Sequence, residues 1–179
     1  MKRCSWVSND ALYIKYHDEE WGKPVFDDAV LFEFLLLESF QAGLSWITIL
    51  KKRDNFRQAF DSFDYKKISN YNQEKVGELL LNEGIIRHRG KIEATINNAN
   101  LFQYIQIEFG SFSNYLWAFV NHIPVLNTFE TLKDVPPKTE LSDQIAKDLK
   151  RRGFKFMGST TVYAFMQAVG LVNDHISDC

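Results

Sequence analysis

The chain has 179 residues, 45% of them hydrophobic and 15% aromatic, which suits one domain with a substantial core. Its net charge of −2 excludes a chain-wide polycation, so any nucleic-acid contact has to rest on local patches. No apolar run reaches the roughly eighteen residues of a membrane span, and MKRCSWVSND lacks the apolar core of a signal peptide, so we expect no membrane partner and a cytoplasmic protein with reduced thiols.

In chain order the pattern predicts helix after helix. Asp10 can cap a segment over 11–21 that Gly22 ends. Asp27 or Asp28 can cap the strongly apolar VLFEFLLLE, and a loop over Phe40–Leu44 follows. Ser45 can open WITILKKR, and NQEKVGELLLN stops at Gly84. A longer helix is expected through KIEATINNANLFQYIQIEF to Gly110, and another opened by Ser113. The segment 122–140, with Pro124, Pro136 and Pro137, reads as loop. LSDQIAKDLKRRG opens at Ser142 and stops at Gly153, TTVYAFMQAV runs to Gly170, and a short turn carries His175. Strand alternation is weak throughout, so the expected fold is a single all-α domain over 1–179.

Three groups of residues carry chemistry. The first is Cys4, His17, His175 and Cys179, the number and type of ligands that a closed tetrahedral zinc site uses. Both cysteines and two of the four histidines sit near the chain ends, which normally fray. The spacing alone leaves a bland alternative open, of core histidines and inert buried cysteines.

The second group is aromatic. On a helix over 11–21, Tyr13, Tyr16, His17 and Trp21 share a broad face, and Trp6 and Trp46 add indole rings. Such rings either pack in a core or line a cage for a flat cationic ligand. Glu38 shares a helix face with Leu31, Phe34 and Leu35. It is either a solvated helix-end carboxylate or one buried to meet a ligand, since burial without a partner costs several kcal/mol or raises the pKa.

The third group is KDLKRRGFK, residues 147–155, where five cations face one Asp, a local +4. It reads as helix, Gly-bounded turn and second helix, a place where phosphate is held by main-chain N–H groups and lysines. A solvated helix end capped by Gly153 is the plain alternative. IIRHRGK (85–91) and KKR (51–53) are weaker basic candidates.

The stretches RCSWVSNDALYIKYHDEEWG, LESFQAGLSWITILKKR, GIIRHRGKIEATINNA, FVNH and LKRRGFKFMGSTTVYAFMQAVGLVNDH, with the terminal Cys179, closely resemble the bacterial 3-methyladenine DNA glycosylase I family over nearly the whole chain. The resemblance implies a helix-hairpin-helix glycosylase fold with one structural zinc on Cys4, His17, His175 and Cys179. It puts the base pocket on Glu38, Tyr16 and Trp46 with Trp6, Tyr13 and Trp21. It puts a DNA-entering loop on Gln41–Ser45, with Gly43 and Leu44 at its tip, and the hairpin on Gly153–Gly158, with Lys155 as a phosphate contact. The implied activity is hydrolysis of the N-glycosidic bond of 3-methyladenine in alkylated double-stranded DNA by a monomer, leaving an abasic site. A zinc-stapled lesion binder without catalysis is the alternative. One departure stands out: helix-hairpin-helix glycosylases usually carry a catalytic Asp after the hairpin, in a Gly/Pro-rich loop that this chain lacks. Asp174 adjoins an expected zinc ligand and is not assigned that role.

Overall fold

The computed structural model describes residues 2–179, which form a predominantly helical fold around one core. Its centre is α2 (Asp28–Gln41), capped by Asp27, whose side chain accepts from the Val30 amide at 3.1 Å. Leu31, Phe32 and every residue from Phe34 to Phe40 are buried. A helix apolar on all sides belongs in the middle of a fold, and α2 packs against α3 (Trp46–Ala59), α6 (Arg89–Phe109), α7 (Phe112–Ala118) and α9 (Ser159–Ala168). The remaining helices are α1 (Ala11–Glu19), the short α4 (Tyr65–Ile68), α5 (Gln73–Leu80) and α8 (Glu140–Arg151). Among the described residues no helix is long and apolar enough to cross a membrane.

Several helix starts differ from the sequence reading, each for a visible reason. The helix expected from Ser113 begins at Phe112, because Ser111 caps it and the distant Asp28 carboxylate accepts from the Phe112 and Ser113 amides at 2.9 and 2.8 Å. Helix α8 starts before Ser142, which instead closes a capping box with Thr139. Helix α6 begins two residues early because His88, read as solvent-facing or locally satisfied, caps it through Nδ1.

The segment read as a loop over 122–140 is tied to the C-terminus. Its β1 (Val125–Leu126) pairs in parallel with β2 (Val172–Asn173), and a further bridge joins Phe129 to Ile176. This docking carries Leu132 and Val135 to the mouth of a cavity beside α2. At the other side, the amides of Gly22 and Val25 donate to the carbonyls of Gln167 and Val169. Gly170, at φ +70°, permits this approach, because a Cβ there would overlap the Lys23 carbonyl.

Candidate active site

The cavity has a volume of about 260 Å³. Helix α1 supplies Tyr13 and Tyr16, the turn after it Trp21, the N-terminal segment Trp6, and the first position of α3 supplies Trp46. Tyr16 lies 5.5 Å from Trp46, and Trp6 lies 5.1 Å from both Tyr13 and Trp21, ring centre to centre. All six residues that the resemblance puts in the base pocket therefore line one cavity.

Glu38 projects into it from α2 and is 4% exposed. Among the described residues nothing donates a hydrogen bond or charge to its carboxylate, and burial pushes the carboxyl up to about 8. The indole N–H of Trp46 is likewise buried without an acceptor. A carboxyl without a partner in a cavity walled by aromatic rings suits a flat ligand with a polar edge. Burial beside Glu38 also pushes the Tyr16 phenol well above its ordinary value, so it stays a donor.

Other lining residues were not among those expected in the pocket. Gln41, Leu132, Val135, Ala164, Gln167 and Asp174 complete the walls. Leu132 and Val135 reach the cavity only through the β1–β2 pairing, a long-range event with no local signature. Asp174 is 2% exposed and accepts from Asn127 Nδ2 at 2.7 Å, from Gln167 Nε2 at 2.9 Å and from the Tyr163 hydroxyl. Its carboxylate is thus satisfied within the protein, in contrast to that of Glu38.

Behind the aromatic walls the chain ends meet. The ligand atoms of Cys4, His17 and Cys179 all lie within 4.8 Å of one another. The structure joins Cys4 and Cys179 in a disulfide, whereas the sequence led us to expect two reduced thiols. The sulfurs are close enough for either a direct bond or a shared ion. His17 Nδ1 donates to Asp18 Oδ1 at 2.9 Å, while its Nε2 is buried with no partner. His175 stands alongside with its ring 5.1 Å from that of His17, and its Nδ1 donates to Asn173 Oδ1 at 2.7 Å. Of the four residues expected to hold a metal, Cys4, His17 and Cys179 present their ligand atoms together, while His175 lies beside them and outside that group. A ring nitrogen held by a second partner is typical of histidine ligands, so the sulfurs and the His17 imidazole suit zinc. Gly22 makes space for His175, since a Cβ there would lie 2.9 Å from its ring. Trp21 packs 4.6 Å from His175 and Trp6 packs 5.4 Å from His17, so the cavity walls rest on this cluster.

At the cavity rim, Ala42–Ser45 form a short loop after α2. Gly43 is exposed at φ +81°, and Leu44 is half-buried against the core. Gln41 Nε2 donates to the Leu44 carbonyl at 2.5 Å, and the Leu44 amide donates back to the Gln41 carbonyl at 2.8 Å.

The turn between α8 and α9 differs from expectation in its detail. The amides of Gly153, Phe154 and Lys155 are used internally, by the Lys150 and Leu149 carbonyls and by Asn98 Oδ1. The free run starts later: amides 156–161 have no acceptor among the described residues. Two of the five cations are also engaged, Arg151 by Asp148 and Arg152 by Asp148 and Glu108. Lys147, Lys150 and Lys155 are exposed, have no acidic partner among the described residues, and flank one groove with Gly158 and Ser159.

A model of the methyladenine glycosylase family matches residues 6–179. The DNA-3-methyladenine glycosylase of Haemophilus influenzae is 51% identical over 177 residues, 99% of this chain and 96% of that protein. DNA-3-methyladenine glycosylase 1 of Escherichia coli is 51% identical over 179 residues, 100% of this chain and 96% of that protein. A crystal structure of 3-methyladenine DNA glycosylase I superposes with a TM-score of 0.97 at 52% identity, covering 99% of this chain and 98% of the other. A variant of such an enzyme in complex with 3-methyladenine superposes with a TM-score of 0.96 at 39% identity, covering 100% and 96%. Agreement of this extent, in sequence and in backbone, shows that the chain belongs to the methyladenine glycosylase family.

Proposed function

We propose that this protein is a DNA repair glycosylase that excises 3-methyladenine from alkylated duplex DNA, and that the cavity beneath Trp46 receives the flipped base. The observation that carries the proposal is the Glu38 carboxyl, buried without a partner among the described residues in a cavity lined by aromatic rings. In the empty cavity the Glu38 carboxyl keeps its proton at neutral pH. A cationic ring beside it supplies the missing counter-charge, so the carboxyl ionises on binding and accepts from the amine-bearing edge of the base. The indole and phenol faces hold the ring by cation–π attraction.

Methylation at N3 makes the adenine of the nucleotide cationic and therefore a good leaving group. Extruding it from the stack costs a few kcal/mol, less for a damaged pair. The C1′–N bond then breaks with its electron pair moving to the base, which neutralises the ring. A water oxygen bonds to C1′ and loses a proton, leaving an abasic site. On this reading the Gly43 turn and the Leu44 side chain at the cavity rim fill the vacated stack. The lysines Lys147, Lys150 and Lys155 with amides 156–161 form the phosphate grip of a helix-hairpin-helix, a contact that carries no base information.

We further infer that Cys4, His17, His175 and Cys179 hold one zinc. When bound, the metal supplies a structural cross-link rather than reaction chemistry, because four protein ligands leave no open position. The orphaned His17 Nε2 beside two sulfurs supports this reading.

The test is chromatography of the bases released from methylated DNA. Free 3-methyladenine should appear with the protein and not without it. Tight binding to alkylated DNA with no released base would leave only a lesion-binding module.

A further inference from the structure

Helix α6 carries two polar anchors that the cavity and the phosphate grip do not account for. Near its start, Lys91 is only 6% exposed, yet no carboxylate meets it. Its ammonium donates to the carbonyls of Phe40 at 2.8 Å and Ala42 at 2.9 Å. Those carbonyls close α2, where the negative end of a helix dipole favours a cation. They also mark where α2 ends and the Gly43–Leu44 loop departs. Burial lowers the Lys91 pKa, so the position is held against a desolvation cost. A lysine whose only role was solubility would not be placed here.

Seven residues on, Asn98 is 1% exposed. It makes a reciprocal pair with the main chain of Lys155: Nδ2 donates to the carbonyl at 2.9 Å, and Oδ1 accepts from the amide at 3.0 Å. Beside it, Asn97 Nδ2 donates to the Gly153 carbonyl at 2.9 Å. These bonds define the α8–α9 turn just before the run of free amides begins. Lys91 and Asn98 lie two turns apart on one face, about 10 Å along a rigid helix.

We propose that α6 acts as a ruler, in which Lys91 fixes the loop that enters the DNA and Asn98 fixes the turn that grips phosphate, so that both meet one duplex in register. Neither residue touches the base or the DNA; both are positioning residues. This inference rests on the glycosylase reading and extends it to the geometry of the DNA. Each anchor governs a different step. Lys91 acts on extrusion of the base once DNA is bound, and Asn98 acts on how tightly DNA is held.

Single-turnover excision from a duplex carrying one 3-methyladenine, alongside calorimetric titration with free 3-methyladenine, separates these effects from general damage to the fold. Lys91→Met should lower the saturating excision rate tenfold or more with little change in the DNA concentration for half-saturation. Asn98→Ala should raise that concentration about tenfold and flatten its salt dependence while the saturating rate stays close to wild type. Free-base affinity should stay within about twofold in both. If Lys91→Met fails to fold, Lys91→Gln, which keeps a neutral NH₂ donor group on a shorter stem, should show the same loss in milder form. Unchanged excision, or free-base affinity that falls in step with excision, overturns the ruler. Absence of base release by the wild-type protein would instead sink the glycosylase reading, and DNA binding by Asn98→Ala would still decide whether that residue places the turn.

Discussion

In the cavity the group left without a partner among the described residues belongs to a side chain, the Glu38 carboxyl, held by α2 among aromatic rings. At the α8–α9 turn the groups without partners among the described residues belong to the main chain, amides 156–161, with three exposed lysines around them that have no acidic partner there. Side chains differ from position to position and read one ligand in detail. Main-chain amides are the same everywhere and suit phosphate, which is also the same everywhere. On the proposed reading, selectivity belongs to the cavity and affinity to the turn, and each should be removable without the other.

The largest effect is expected at Glu38. Glu38→Gln keeps the shape but turns one acceptor into a donor, which should weaken capture of free 3-methyladenine and slow excision by roughly ten- to a hundredfold. Binding to undamaged DNA should stay as it is. The same variant should be more heat-stable than the wild type. The Glu38 carboxyl rises from 4.5 to about 8 on folding. A group raised in this way contributes stability below its unfolded value and loses that contribution as pH climbs through the folded one. Between pH 4.5 and 8 the wild type should therefore fall behind Glu38→Gln by a few kcal/mol, read as a divergence of melting temperatures.

The next largest effect concerns the chain ends. Cys179→Ser should lower the melting temperature by roughly 5–15 °C, the usual range for losing a cross-link in a domain of this size. It should also loosen base capture, because Trp6 and Trp21 rest on His17 and His175. Elemental analysis of protein prepared without added metal should find one zinc per chain. Reductant alone should then leave the melting temperature unchanged, and a chelator should lower it. A fall on reduction alone would assign the staple to the disulfide.

Excision of the cationic lesion should rise with pH and level off near 8, since below that value Glu38 must give up a proton when the base binds. Glu38→Gln should lack this rise. At the other region, Lys155→Ala should weaken binding of all duplexes a few-fold and reduce the salt slope by about one. A sequence-dependent loss would break the assignment of affinity to the turn. The smallest effect on function is expected for Glu33→Gln. Glu33 lies on the same helix as Glu38 but is paired with Arg53 and Arg57 at 2.7 and 2.9 Å, so its loss should cost stability and leave base capture alone.

Much of this was legible in the residues. The apolar run of α2 and the Tyr13–Tyr16–His17 face of α1 depend on local spacing and stand where it put them. In contrast, α1 ends at Glu19 and leaves Trp21 to the following turn, and of the terminal Cys/His set only Cys4, His17 and Cys179 converge. Glu38 was ambiguous because a helix face does not reveal whether its last turn is buried. That depends on Trp46 and Tyr16 arriving from other elements. Invisible in the same way were Asp28 capping α7, Lys91 closing α2 and Asn98 closing the turn, each spanning more than fifty residues. The turn itself was located correctly, but which of its amides were free could not be read without knowing that Asn98 takes one of them.

The central claim is that Glu38 recognises the methylated base from a buried aromatic cavity. Isothermal titration with free 3-methyladenine on the wild type, Glu38→Gln and Glu33→Gln tests it most directly. The account predicts that Glu33→Gln binds like the wild type and that Glu38→Gln binds at least about tenfold more weakly. Equal affinities across the three proteins would contradict it and remove Glu38 from the site.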